Sequence, residues 1–133
     1  MTDENVASRR GRTRVLVVDD SPTALRVLQA TLEAEHYEVA TASDGGEGLE
    51  KVREWSPDLI LTDSMMPGVD GFAFLRSLKE NATTGRIPVI MLTSGDPRDL
   101  DSGKEQIQPD VLVKKSAEMG ALLAEIRALL KRV

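Results

Sequence analysis

The stretch PDLILTDSMMPGVDG, residues 57–71, decides how the whole chain is read. Leu59 to Thr62 form an unbroken aliphatic run of strand length. A strand with one wet face would alternate, so an unbroken run suits a strand covered on both faces. The run ends in a carboxylate, Asp63, and passes through a Pro-Gly turn to Asp70-Gly71, which opens a helix. Phe74, Leu75 and Leu78 then supply the apolar stripe of that helix.

The same unit recurs along the chain. Strand-like runs occur at Val15–Val18, Tyr37–Thr41, Ile87–Leu92 and Val111–Val113. Helical stripes follow at Leu25, Leu28 and Leu32, at Leu49 and Val52, and at Leu122, Ile126, Leu129 and Leu130. Caps agree with them: Asp20-Ser21 before Pro22, Asp44 before two glycines, and Asp96 before Pro97. Five strand–helix repeats predict an α/β fold, a doubly wound five-stranded parallel sheet with helices on both faces. At this size the flavodoxin-like order 2-1-3-4-5 is favoured. Residues 1–13 are polar and aperiodic and read as a mobile lead-in, leaving 14–133 as one domain.

Composition narrows the chemistry. There is no cysteine and one histidine, His36, which excludes disulfides, thiolate sites and paired-histidine zinc motifs. Aromatics are only 3%, so the core must be aliphatic. A net charge of −5 argues against a nucleic-acid-binding surface, and the absence of a long apolar run argues against a membrane span or a signal peptide. A cytoplasmic protein is expected. The arginines at 9, 10, 12 and 14 read as solvated charge beside the first strand.

In a doubly wound sheet, ligands bind at the carboxyl ends of the strands, where the strand order reverses. Those ends carry Asp19-Asp20, Asp63, Thr93-Ser94 and Lys114-Lys115. Three carboxylates crowded at one edge repel one another unless a cation compensates. Hard oxygen ligands favour magnesium, or manganese, which keeps part of its shell for water and a phosphate oxygen. A lysine suits a phosphoryl oxygen and a threonine adds a hydroxyl donor. Together these groups form a phosphoryl-transfer site, and no serine or histidine is placed as an obvious alternative nucleophile. Asp63, at the centre, is the expected acceptor.

These residues resemble the receiver domains of two-component response regulators. The matching segments are VLVVDDS (15–21), ASDGGEGL (42–49), residues 57–71, IPVIMLTS (87–94) and VLVKK (111–115). The resemblance implies that Asp63 is the phospho-acceptor and that Asp19, Asp20 and Asp63, with the backbone carbonyl of Met65, bind Mg2+ or Mn2+. It implies Thr93 as the switch hydroxyl and Lys114 as the phosphate-binding lysine. A sensor histidine kinase or histidine phosphotransfer protein would donate the phosphoryl group. The domain would assist its own phosphorylation and dephosphorylation without being an enzyme in its own right. Phosphorylation would switch the surface of residues 96–108, the fifth strand and the last helix, which meets a downstream effector protein or domain.

The chain departs from the family pattern in three places. Lys115 stands where the family has a proline after its lysine. Val111 stands where it often has an aromatic residue. The helical stretch 96–108 has only Leu100 and Ile107 as large apolar residues, and Gly103 weakens it by about 1 kcal/mol. A short, mobile or partly unwound element is expected there. Met65, two residues past the acceptor, cannot hydrogen-bond an attacking water, which predicts slow self-dephosphorylation. Two other functions fit some of these features: a receiver-like binding module not switched by phosphorylation, and a phosphatase that forms an aspartyl phosphate. The phosphatase reading requires a second aspartate where Met65 stands.

Overall fold

The computed structural model describes residues 12–66, 70–94 and 107–131. Five strands, β1 (Arg14–Val18), β2 (Glu38–Ala42), β3 (Leu59–Asp63), β4 (Val89–Thr93) and β5 (Val111–Lys114), form one parallel sheet in the order β2-β1-β3-β4-β5. The helices are α1 (Pro22–Ala34), α2 (Gly45–Trp55), α3 (Gly71–Lys79) and α4 (Met119–Lys131), with a short 3-10 turn at Thr84–Arg86. The expected fold and strand order are thus present. The weak helical stretch expected at 96–108 lies almost wholly outside the described residues, as does most of the lead-in 1–13.

Local chemistry sets the element ends. Ser21, Asp44 and Asp70 each accept a backbone N–H three residues on, from Ala24, Glu47 and Ala73, and so satisfy the open first turns of α1, α2 and α3. β4 starts at Val89, two residues later than the apolar run suggested, because Ile87 still closes the 3-10 turn onto Thr84. Arg14 is also not solvated charge. Its N–H donates to Asp58 at 2.8 Å, and its guanidinium lies over the Trp55 ring and bonds that residue's carbonyl.

Alternation along the strands divides the core in two. Val15, Val17, Leu59, Leu61, Ile90, Leu92 and Val113 pack with Leu28 and Leu32 of α1 and Leu122, Ile126 and Leu129 of α4. Leu16, Val18, Ile60, Val89 and Met91 face the other way, onto Val52 of α2 and Phe74, Leu75 and Leu78 of α3. Phe74 is fully buried, and burial of such a side chain contributes about 1.5–3 kcal/mol. Both faces are covered, as the unbroken apolar runs require. Every strand therefore ends at one edge with its direction fixed from two sides.

Candidate functional site

Three carboxylates meet at that edge. Asp63 is the last residue of β3, and Asp19 follows β1, its N–H still bonded to the Ala42 carbonyl at 3.0 Å as if the strand continued. Oxygens of Asp19, Asp20 and Asp63 lie within 4.8 Å of one another. Asp19 and Asp63 are each only 2% exposed, whereas Asp20 is exposed. Burial pushes the Asp19 carboxyl above the ordinary carboxylate range, and the charge of Asp63 adds to this against the N–H of Ser21, which donates to Asp19 Oδ1 at 2.9 Å. The sequence placed these three residues together, and the structure does so.

One oxygen of Asp63 carries the visible contacts. Its Oδ1 accepts the Met65 N–H at 3.3 Å and lies 3.0 Å from the ammonium of Lys115. Burial alone would lower the Lys115 pKa, but the hydrogen bond and charge of Asp63, with Asp19 and Asp20 behind it, raise it. The ammonium paired with Asp63 is therefore that of Lys115, next to the Lys114 to which the family resemblance assigns phosphate binding.

The path of the chain at the end of β5 separates the two lysines. Side chains point to opposite faces at successive residues. Leu59, Leu61 and Asp63 share the α1/α4 side, and so do Val111 and Val113. The Lys115 N–H bonds the Thr93 carbonyl at 2.7 Å, so the ladder to β4 reaches this residue, which then enters the turn closed by the Ala117 N–H on the Lys114 carbonyl; the peptide bond between the lysines is trans. Lys114 falls on the alternate side, in register with Thr93. Thr93 itself is buried on that side, continuing Val89 and Met91. Val111 is half-buried against the α1/α4 core, in register with Ile90. The period-two phase of residues 59–63 and 111–114 places Asp63 and Lys114 on opposite sides of the sheet.

The turn after the acceptor is held tightly. The Gly71 N–H donates to the Ser64 carbonyl at 3.1 Å. A Cβ at Gly71 would stand 2.3 Å from the Asp63 carbonyl oxygen and 2.9 Å from Ser64 Cα, so only glycine lets α3 start this close to β3. Met65 is 57% exposed next to the acceptor. A cleft of about 350 Å3 opens at this edge, walled by Val27, Leu28, Met119 and Leu122 and including Asp19, Lys114 and Lys115 in its lining.

Residues 15–127 match the family model described as the response regulator receiver domain. This chain belongs to the response-regulator receiver family. The receiver is 45% identical over 117 residues to the response regulator PleD of Caulobacter vibrioides, covering 87% of the chain but about a quarter of PleD (26%). It is 42% identical over 118 residues to the protein PilH of Pseudomonas aeruginosa, covering 88% of the chain and 97% of PilH. Among solved structures it resembles the signal receiver domain of a signal transduction histidine kinase from Syntrophus aciditrophicus, with a TM-score of 0.84 at 34% identity over 91% of this chain and 92% of that one. It also resembles the chemotaxis protein CheY4 of Vibrio cholerae, with a TM-score of 0.80 at 30% identity over 88% of the chain and 98% of CheY4. Among the described residues of the receiver, no helix is long and apolar enough to cross a membrane.

Proposed function

We propose that this receiver takes a phosphoryl group on Asp63 from a sensor histidine kinase or a histidine phosphotransfer protein. The observation that carries the reading is the convergence of two buried carboxylates, one exposed carboxylate and one ammonium at a single sheet edge. Three acids facing one lysine leave excess negative charge, which fits a divalent cation. Asp19, Asp20 and Asp63, with the Met65 carbonyl, would hold Mg2+ or Mn2+, which when bound neutralises charge on the transferred group. Asp63 supplies the attacking oxygen, and a lysine at the end of β5, Lys114 by the family pattern, neutralises phosphoryl charge. Thr93 supplies a hydroxyl on the side of the sheet that faces away from α1 and α4.

In this reading the domain takes part in the transfer without being an enzyme. It is a switch, and phosphorylation adds charge and acceptor oxygens that bias a two-state equilibrium near β4 and β5. A downstream effector protein or domain reads that change. The test is incubation with Mg2+ and acetyl phosphate followed by intact mass. Wild type should gain one phosphoryl group and Asp63→Asn none. No gain in wild type would refute the reading and favour a binding module that phosphorylation does not switch.

A further inference from the structure

The family pattern places one lysine on the phosphoryl group, at position 114 of this chain, yet the ion pair observed involves its neighbour. We infer that Lys115, and not Lys114, is the cation that binds the phosphoryl oxygens at Asp63. The inference rests on the proposed phosphorylation of Asp63.

Three observations support it. The Lys115 ammonium lies 3.0 Å from Asp63 Oδ1. Its backbone is fixed there, because its N–H bonds the Thr93 carbonyl at 2.7 Å and it sits within the turn closed by the Ala117 N–H on the Lys114 carbonyl at 2.9 Å. Alternation in β5 is pinned by Val113, which is buried in the α1/α4 core, so Lys114, in register with Thr93, falls on the opposite side of the sheet from Asp63, which is in register with Leu92. At the start of β4, the Asp110 carboxylate accepts the Val89 N–H at 2.8 Å, which also opposes a one-residue slip.

In the transfer from acetyl phosphate, an Asp63 carboxylate oxygen attacks phosphorus and the bond from phosphorus to the acetyl oxygen breaks; from a phosphohistidine the bond broken is phosphorus to nitrogen and the imidazole leaves. With acetyl phosphate and Mg2+ the leaving group is acetate, so no proton or redox partner is required. As that bond loosens, negative charge spreads over the equatorial phosphoryl oxygens. An ammonium already seated beside Asp63 can meet that charge with little rearrangement. In the unphosphorylated state the same ammonium competes with a divalent cation for Asp63.

The test compares Lys115→Met, Lys115→Arg and Lys114→Met. Methionine keeps much of the apolar stem and removes the charge. Phosphoryl uptake from acetyl phosphate should slow about tenfold or more in Lys115→Met and recover in part in Lys115→Arg, while Lys114→Met changes it far less. Binding of Mg2+ alone, followed by calorimetry, should tighten about threefold or more in Lys115→Met, because a competing positive charge is gone. A merely structural lysine would not produce that gain. Equal losses in the two methionine variants, or the larger loss in Lys114→Met, would overturn the assignment. If wild type takes up no phosphoryl group, the functional reading fails. The Mg2+ titration then still judges the ion pair, and an unchanged affinity in Lys115→Met would refute that as well.

Discussion

Replacing Asp19 with asparagine is expected to stabilise the metal-free protein. Asp19 is 2% exposed, and one of its oxygens lies within 4.8 Å of an Asp63 oxygen. Two unit charges at 4.8 Å repel by about 3.5 kcal/mol at an effective dielectric constant near 20. The Lys115 ammonium and the Ser21 N–H offset part of this. The amide oxygen of the variant can still accept that N–H, so the net gain should be about 1–2 kcal/mol. Burial and the Asp63 charge raise the folded-state pKa of Asp19 above its ordinary 3.8, so the cost arises only when the group is ionised. The penalty is absent below the unfolded value, sets in as pH rises through it, and is complete above the folded value. Asp19→Asn should therefore outlast wild type at pH 7 and lose most of that advantage as the pH falls toward 3.8. Urea denaturation with a divalent chelator present measures both arms. Added Mg2+ should reverse the order at pH 7, because a ligand that binds the folded state alone stabilises it. If the variant is no more stable than wild type at pH 7 under chelation, or if its advantage is undiminished in acid, the electrostatic account is wrong.

Two further outcomes are expected. Gly71→Ala should cost about 1–3 kcal/mol, and slow phosphoryl uptake as well, because its Cβ can fit only if the Asp63 backbone shifts; a wild-type urea midpoint together with a wild-type uptake rate would contradict the close approach described for Gly71. Met65→Asn should shorten the phosphoryl lifetime several-fold by giving an attacking water a hydrogen-bonding partner, and decay followed by intact mass would show otherwise if Met65 plays no part.

The sheet was legible because its physics is local. Leu59–Thr62 and Val15–Val18 carry too many apolar residues in a row to be anything but strands buried on both sides, and Ser21, Asp44 and Asp70 mark helix starts through their side-chain oxygens. The acidic cluster was legible for the same reason, since strand ends in a parallel sheet share an edge. Which lysine reaches that cluster was not. Lys114 and Lys115 have the same chemistry, so composition cannot separate them, and only where β5 ends and its turn begins does. The role of Arg14 was hidden differently: its partners Trp55 and Asp58 are about forty residues away in sequence.

The Gly71 contact gives the acceptor two unlike neighbours. On one side α3 begins against the Asp63 carbonyl and bonds Ser64, leaving no gap for movement. On the other lies β5, the last strand of the sheet, with a half-exposed lysine reaching inward. The contact toward α3 is backbone against backbone, and the one toward β5 is a side-chain ion pair. A change of charge on Asp63 therefore bears directly on the lysine side, where the contact is electrostatic, and not on the glycine side, where it is steric.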